Sequence, residues 1–211
     1  MKLDFRGREM LVYEGSPLSL GNTITFIHSH SEEFNILYSA KSPQLVDCPP
    51  KWSPPAANFI KINFGVHFIS ATSQSVSGAL ARDSLGRIVA ACAYPHDWIA
   101  DSFIAEAKAC KVAVLFAIDL DLSKVHVEGD SLAVIKKLKS EIEDKSILQP
   151  IVRDINSTRG SFEVITFSHV GRRSNATAHF LVRVGLQAGQ PQFWFGKAPM
   201  MVEQAVRRDL A

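Results

Sequence analysis

A strict alternation of apolar and polar positions begins near residue 59. Over residues 59–68, FIKINFGVHF, Ile60, Ile62, Phe64, Val66 and Phe68 fall on one face and Lys61, Asn63, Gly65 and His67 on the other, the period-two pattern of a half-exposed strand. Two further apolar runs, VSGALARD and GRIVAACAY, meet across Asp83-Ser84-Leu85-Gly86. That short, Gly-ended connection predicts a hairpin, and with it three consecutive antiparallel strands. From Asp101 to Leu120 the period changes: Phe103, Ala107, Cys110, Val114 and Ala117 recur at spacings of 4, 3, 4 and 3, one apolar stripe along a helix, with Lys108 and Lys111 well off it. KVHVEGD, residues 124–130, alternates again as a strand. Residues 131–138 read as a short helix with lysines outward, 150–157 as another, 162–170 as a last strand, and 174–186 as a helix whose packed face carries Ala178, Leu181, Val182 and Gly185. Three hairpin strands followed by α, β, α, β, α predict an α/β fold: a five-stranded mixed sheet flanked by helices.

The flanks follow other rules. Residues 1–50 mix short apolar runs, ITFI and FNILY, with Ser, Asn and Gly, and end in the proline-rich CPPKWSPP, a stiff extended boundary. The chain therefore divides into an N-terminal extension, 1–50, a domain, 51–188, and a tail, 189–211. In the tail residues 192–195, QFWF, read as an aromatic latch and 199–210 as a short helix with Val202, Ala205 and Val206 inward. Trp194 is open either to packing on the domain or to base stacking.

Composition narrows the function classes. With 211 residues, 46% of them apolar, the chain buries a core without staples. Cys48, Cys92 and Cys110 are irregularly spaced and write neither a disulfide framework nor a zinc cluster, so a reducing compartment is expected. No run approaches the roughly 18 apolar residues of a membrane span, and MKLDFRGREM lacks an apolar signal core. The expectation is an intracellular protein, nuclear or cytoplasmic, without a membrane partner. The net charge of +2 says little, but residues 1–50 hold 4 basic and 6 acidic side chains while 171–211 hold 6 and 2. A nucleic-acid surface is expected toward the C-terminal end.

In such sheets, side chains converge at the carboxyl ends of central strands, beside helix N-termini. Asp130 ends the fourth strand, and Glu106 lies about 60° off the apolar stripe of the long helix. Carboxylates converging from separate elements suit hard Mg²⁺ ions, a pair of which can activate water and stabilise a leaving oxygen in phosphodiester hydrolysis. The same two residues also read as a helix N-cap and as a first-turn acid favoured by the helix dipole.

Taken in order, KWSPP, FIKINF, GALARDSLGRIVAA, AEAKA, VHVEGDS and FSHVGRRSNATAH resemble the ribonuclease H-like, reverse-transcriptase-like domains abundant in plants and related to retrotransposon ribonuclease H, over roughly residues 51–188. The resemblance implies a ribonuclease H-like fold, a site of acidic residues binding two Mg²⁺ ions, and cleavage of the RNA strand of an RNA–DNA hybrid. Glu106 and Asp130 match two of the acidic ligands. His169 matches a mobile histidine associated with product release, Asn175 the family asparagine, and His179 the place of a fourth carboxylate, where histidine is common. Arg172 and Arg173 stand where the family contacts the backbone, so these two, with Asn63 and Asn175, are the expected nucleic-acid contacts. Lys136, Lys137 and Lys139 read as a solvated helix face.

One position departs from the pattern. The family's first strand reads Lys-x-Asn-x-Asp-Gly-Ala, whereas this chain reads Lys61-Ile62-Asn63-Phe64-Gly65-Val66-His67. Gly65 stands where the leading catalytic aspartate, which bridges both metals, belongs. His67 shares the face of Gly65, but a neutral imidazole is a poor Mg²⁺ ligand, and no acidic residue lies between Asp47 and Asp83 to restore the group by a slip of register. The sequence thus leads to a protein that binds an RNA–DNA hybrid or double-stranded RNA with impaired hydrolysis. The competing readings are an active Mg²⁺-dependent ribonuclease and a decayed copy serving protein contacts.

Overall fold

The computed structural model describes residues 51–140 and 145–210. The N-terminal extension read over residues 1–50 lies outside the described residues. Six strands, β1 (Ile60–Ile69), β2 (Gln74–Arg82), β3 (Ile88–His96), β4 (Lys124–Gly129), β5 (Val164–His169) and β6 (Gln192–Phe195), form one sheet in the order β5-β4-β1-β2-β3-β6. β1, β2 and β3 are antiparallel neighbours, β4 pairs parallel to β1, and β5 pairs parallel to β4. The helices are α1 (Ser102–Asp119), α2 (Leu132–Lys139), α3 (Gln149–Ser157), α4 (Ala176–Ala188) and α5 (Met200–Leu210).

The expected five-stranded sheet is corrected to six. Gln192–Phe195 pairs antiparallel with Ala90–Ala93 of β3, so the aromatic latch is an edge strand. Its period was hidden because the run is short and lacks a polar alternate. Phe193 packs on the main core and Trp194 on a second cluster, as adjacent strand residues must, and the packing reading of Trp194 holds.

The main core lies between the sheet and α1, α2 and α3. Ile62, Phe64, Val66, Ala79 and Cys92 meet Ala107, Cys110, Val114 and Ala117 of α1, and Val134, Leu138, Val152 and Ile155 close the outer side. α1 begins where Asp101 caps it, its carboxylate accepting from the Ile104 N–H at 2.8 Å. Burial on α1 extends beyond the single predicted stripe, to Val112, Ala113 and Phe116, because α3 covers a second flank and pairs through Asp154 with Lys111 at 2.6 Å.

The opposite face of the sheet is covered as well, which corrects the half-exposed reading of β1. Leu80 and Ala91 pack against Leu181, Val202 and Val206 of α4 and α5. α4 approaches closely because Gly185 has no side chain; a Cβ there would come 2.6 Å from that of Ala93. Lys61, Asn63 and Gly65 are therefore buried, while His67, beyond the cover, is exposed.

Most polar groups on that face are paired, although the buried Nε of Arg82 has no hydrogen-bond partner. Arg82 is 0% exposed. Its guanidinium stacks 3.7 Å from the Trp52 ring, donates to Asn63 Oδ1 at 3.1 Å, and pairs with Asp209 of α5 at 2.7 Å. Thr177 of α4 donates to the same Asp209 oxygen at 2.8 Å, and Trp52 Nε1 donates to Asn63 Oδ1 at 2.8 Å. Asn63 in turn donates to Glu128, whose other oxygen meets Lys61 at 2.8 Å and His126 at 3.0 Å. Burial opposes the charge on Glu128, yet the hydrogen bonds from His126 and Lys61, and then their charges, outweigh it and pull its pKa down to about 2.

Burial lowers the pKa of Arg82, and the hydrogen bond and charge of Asp209 push back. Removing that counter-charge leaves a buried cation uncompensated. Asp209→Asn is expected to cost about 3 kcal/mol in urea unfolding, and Arg82→Leu with Asp209→Leu to recover most of the loss. Equal stability of Asp209→Asn and wild type would show that the pair does not hold the C-terminal helix.

Candidate functional site

β1, β3 and β4 run in the same direction, so their carboxyl ends form one rim of the sheet. Asp130 follows β4 directly on this rim. It does not cap α2, whose N-cap is Ser131. Instead, its carboxylate faces α4 and the segment before it. His179 Nε2 lies 3.0 Å from Asp130 Oδ2, Arg172 Nη1 donates to the same oxygen at 3.1 Å, and Asn175 Nδ2 donates to Oδ1 at 3.1 Å. Asn175 also donates to the Phe64 carbonyl at 2.8 Å, which ties the start of α4 to β1 one residue before Gly65.

Gly65 is in contact with the same imidazole. A Cβ added at Gly65 would lie 3.2 Å from both Nδ1 and Cε1 of His179, closer than ordinary contact, with Ala178 Cβ at 3.6 Å. The His179 ring thus stands over Gly65 with one nitrogen and holds Asp130 with the other. A side chain at position 65 would require the ring to give by a few tenths of an ångström.

Electrostatically, Asp130 is the acid of this group. Burial opposes its ionisation, but the hydrogen bond from His179, then the charges of His179 and Arg172, hold its carboxyl below the ordinary carboxylate value. The carboxylate is therefore ionised at neutral pH and already partnered by donors.

The other expected site residues are spread around this centre. Glu106 reaches the same end of the molecule from α1, in the opposite helix layer. It is half-buried, and its charge adds to the burial that raises the pKa of the Cys110 thiol one turn along the helix. His169, at the end of β5, and Arg172 and Arg173, in the turn after it, are exposed on the same rim as Asp130. Asn63 and Asn175 are each 1% exposed, with their amides engaged inside the protein. This corrects their reading as nucleic-acid contacts: Asn63 lies under the second layer on β1 and braces the sheet, and Asn175, at the N-cap of α4, ties that helix to Phe64 and Asp130. Lys136 and Lys139 are exposed on α2, away from the packed side chains Val134, Ile135 and Leu138. No helix among the described residues is long and apolar enough to cross a membrane.

A sequence profile of the reverse transcriptase-like family matches residues 63–185, the stretch that carries Gly65, Glu106, Asp130, His169 and His179. The chain belongs to the reverse transcriptase-like family. Its architecture is that of the ribonuclease H fold. Ribonuclease H1 from the halophilic archaeon Halobacterium salinarum superposes with a TM-score of 0.57 at 21% identity, over 62% of this chain and 98% of that one. The N-terminal ribonuclease H domain of a Mycobacterium tuberculosis protein, solved as a fusion with maltose-binding protein, gives 0.54 at 16% identity over 62% and 94%. A ribonuclease H1 isolated from compost, in complex with an RNA/DNA hybrid, gives 0.50 at 17% over 62% and 97%. No curated protein matches the sequence.

The network of Arg82, Asp209, Thr177 and Glu128 had no signal in the sequence, because Asp209, 127 positions from Arg82, lies outside every motif and no motif says that the others meet. The partnership of His179 with Asp130 has a measurable consequence. His179→Ala removes the largest force lowering the Asp130 pKa while leaving it buried, so that pKa should rise. A folded pKa below the ordinary 3.8 adds stability that is present above that pH and fades as pH falls through the folded value. The variant should lose this contribution at higher pH than the wild type. A carboxyl-carbon NMR titration reads the shift directly, and an unmoved Asp130 would show that His179 does not set its charge.

Proposed function

We propose that this member of the reverse transcriptase-like family binds an RNA–DNA hybrid or double-stranded RNA through its basic rim and no longer hydrolyses it. The observation that carries the reading is the His179 ring standing over Gly65 and bonded to Asp130. Two-metal hydrolysis needs oxygen ligands placed to clamp both ions and to stabilise charge on the attacking and leaving oxygens. Position 65 supplies no oxygen side chain, and Asp130 is already satisfied by an imidazole, a guanidinium and an amide. The donor set at Gly65 and Asp130 does not fit a pair of Mg²⁺ ions.

The binding half of the reading rests on other residues. His169, Arg172 and Arg173 are exposed together at the carboxyl end of β5. A related fold, the compost ribonuclease H1, takes an RNA/DNA hybrid. Hybrids and double-stranded RNA are recognised by shape through phosphates and 2′-hydroxyls, so a small group of cations suits them and no sequence preference is expected.

In the test, a labelled RNA–DNA hybrid is incubated with the protein in Mg²⁺ and in Mn²⁺, beside a binding titration across salt. The wild type should bind without cleaving, with affinity that falls as salt rises. Arg172→Ala with Arg173→Ala should weaken binding and flatten the salt dependence by a slope of about 2. Gly65→Asp should restore at least some Mg²⁺-dependent cleavage, since a Cβ there asks His179 to give by only a few tenths of an ångström. Gly65→Asp with His179→Asp should gain a Mg²⁺-dependent rise in melting temperature. Robust wild-type cleavage abolished by Asp130→Asn would replace the reading with that of an active ribonuclease. Absence of binding to either duplex would leave protein contacts as the role of the fold.

A further inference from the structure

The loop between β3 and α1 holds a tryptophan out in solvent. Trp98 is 87% exposed, and its φ of 58° lies in the left-handed region that bulky side chains rarely adopt. Both of its neighbours are fixed. Before it, Asp97 accepts from Gln74 Nε2 at 3.1 Å; after it, the Ile99 N–H donates to the Ser73 carbonyl at 2.8 Å and the Ile99 side chain is wholly buried. The indole is therefore displayed by a pinned backbone rather than frayed from a loose one. Strained backbone of this kind persists where its surroundings over-determine it, and it clusters at ligand contacts.

The placement is equally specific. Trp98 follows the carboxyl end of β3, on the rim that carries Asp130, His169, Arg172 and Arg173. From Phe64, which pairs with Gly129, β1 continues to Ile69, a further rise of about 16 Å, before the turn to which the Trp98 loop is tied. Across the sheet β5 and β3 are four strand spacings apart, about 19 Å, so the arginines and the indole are separated by about 25 Å. A single strand leaving a duplex held at the arginines spans that gap in several nucleotides.

We infer that Trp98 is a stacking contact for an unpaired base of the nucleic acid whose phosphates Arg172 and Arg173 hold. The inference rests on the nucleic-acid reading above and adds a substrate preference to it. Inside a closed duplex both faces of each base are covered by its neighbours, so away from the helix ends an indole can stack only on a base that is unpaired. The preferred substrate is therefore a hybrid with a single-stranded extension rather than a blunt one. Stacking on an aromatic side chain is tolerant of sequence, which agrees with cations that contact only the backbone.

The experiment uses the full chain and two labelled RNA–DNA hybrids, one blunt and one bearing a short single-stranded extension, with affinity read by anisotropy and indole emission read in parallel. Wild type should bind the extended hybrid about tenfold more tightly and lose indole emission on binding, because Trp52 is buried and Trp194 half-buried while Trp98 is open. Trp98→Gly removes the ring and accepts the positive φ, so it should melt at or above the wild-type temperature while losing the preference for the extension. Trp98→Phe should keep most of the affinity and lose the emission change. Arg172→Ala with Arg173→Ala should weaken both hybrids alike. If Trp98→Gly binds the extended hybrid as wild type does while the arginine variant fails, the stacking inference falls and the nucleic-acid reading stands. If the wild type binds neither hybrid, both fall.

Discussion

A guanidinium with no access to water is the constraint around which the second layer of this domain is arranged. Arg82 cannot be left alone at 0% exposure, and its neighbours come from four distant parts of the chain: Trp52 from the proline-rich segment, Asn63 from β1, Asp209 from α5, and Thr177 of α4 through that same carboxylate. A buried ion pair contributes little net stability against an apolar alternative, while breaking one costs several kcal/mol. Its effect here is therefore to specify which packing of the layer is allowed. Thr177 sits between Asn175 and His179, so the contact that fixes the first turn of α4 also fixes the two α4-side groups that meet Asp130.

From that anchoring the character of the site follows. A ribonuclease H centre built for metal gathers carboxylates, which repel one another until cations arrive. In this chain the carboxylate at the end of β4 meets an imidazole, a guanidinium and an amide supplied by the protein itself, and the strand opposite supplies a glycine. Burial works against the ionised form of Asp130, but the hydrogen bonds and charges around it prevail. The protein's own donors thus satisfy this carboxylate from within the fold.

Much of this fold was legible from periodicity. The alternation at Ile60–Phe68, the switch to helical spacing after Asp101, and the returns to alternation before Asp130 and before His169 correspond to β1, α1, β4 and β5. What could not be read was the covering of the second face. Lys61, Asn63 and Gly65 look like solvent-facing positions because polarity in a sequence normally marks exposure, yet each is buried beneath α4, α5 or Trp52 by partners remote in the chain. The same remoteness hid the sixth strand, whose four residues carry no alternation of their own. At the site, ordered motifs pointed to Asp130, His179 and Gly65 together, but no motif states that the imidazole stands 3.2 Å from where a side chain at position 65 would begin. That is a property of packing, visible only when α4 is docked.

Binding and two-metal hydrolysis depend on different kinds of placement. Hydrolysis of that kind requires several oxygens held in close geometry around two ions. Backbone binding requires only exposed cations near a few phosphates, and their contributions fall off gradually with distance and salt. Arg172 reaches Asp130 with one nitrogen while its side chain remains 72% exposed, leaving most of the guanidinium turned outward. A phosphate approaching this rim meets one carboxylate already neutralised by adjacent donors rather than an unshielded acidic cluster. With glycine at position 65, β1 adds no negative charge to this rim, and the outward-turned guanidinium of Arg172 is what an approaching phosphate meets.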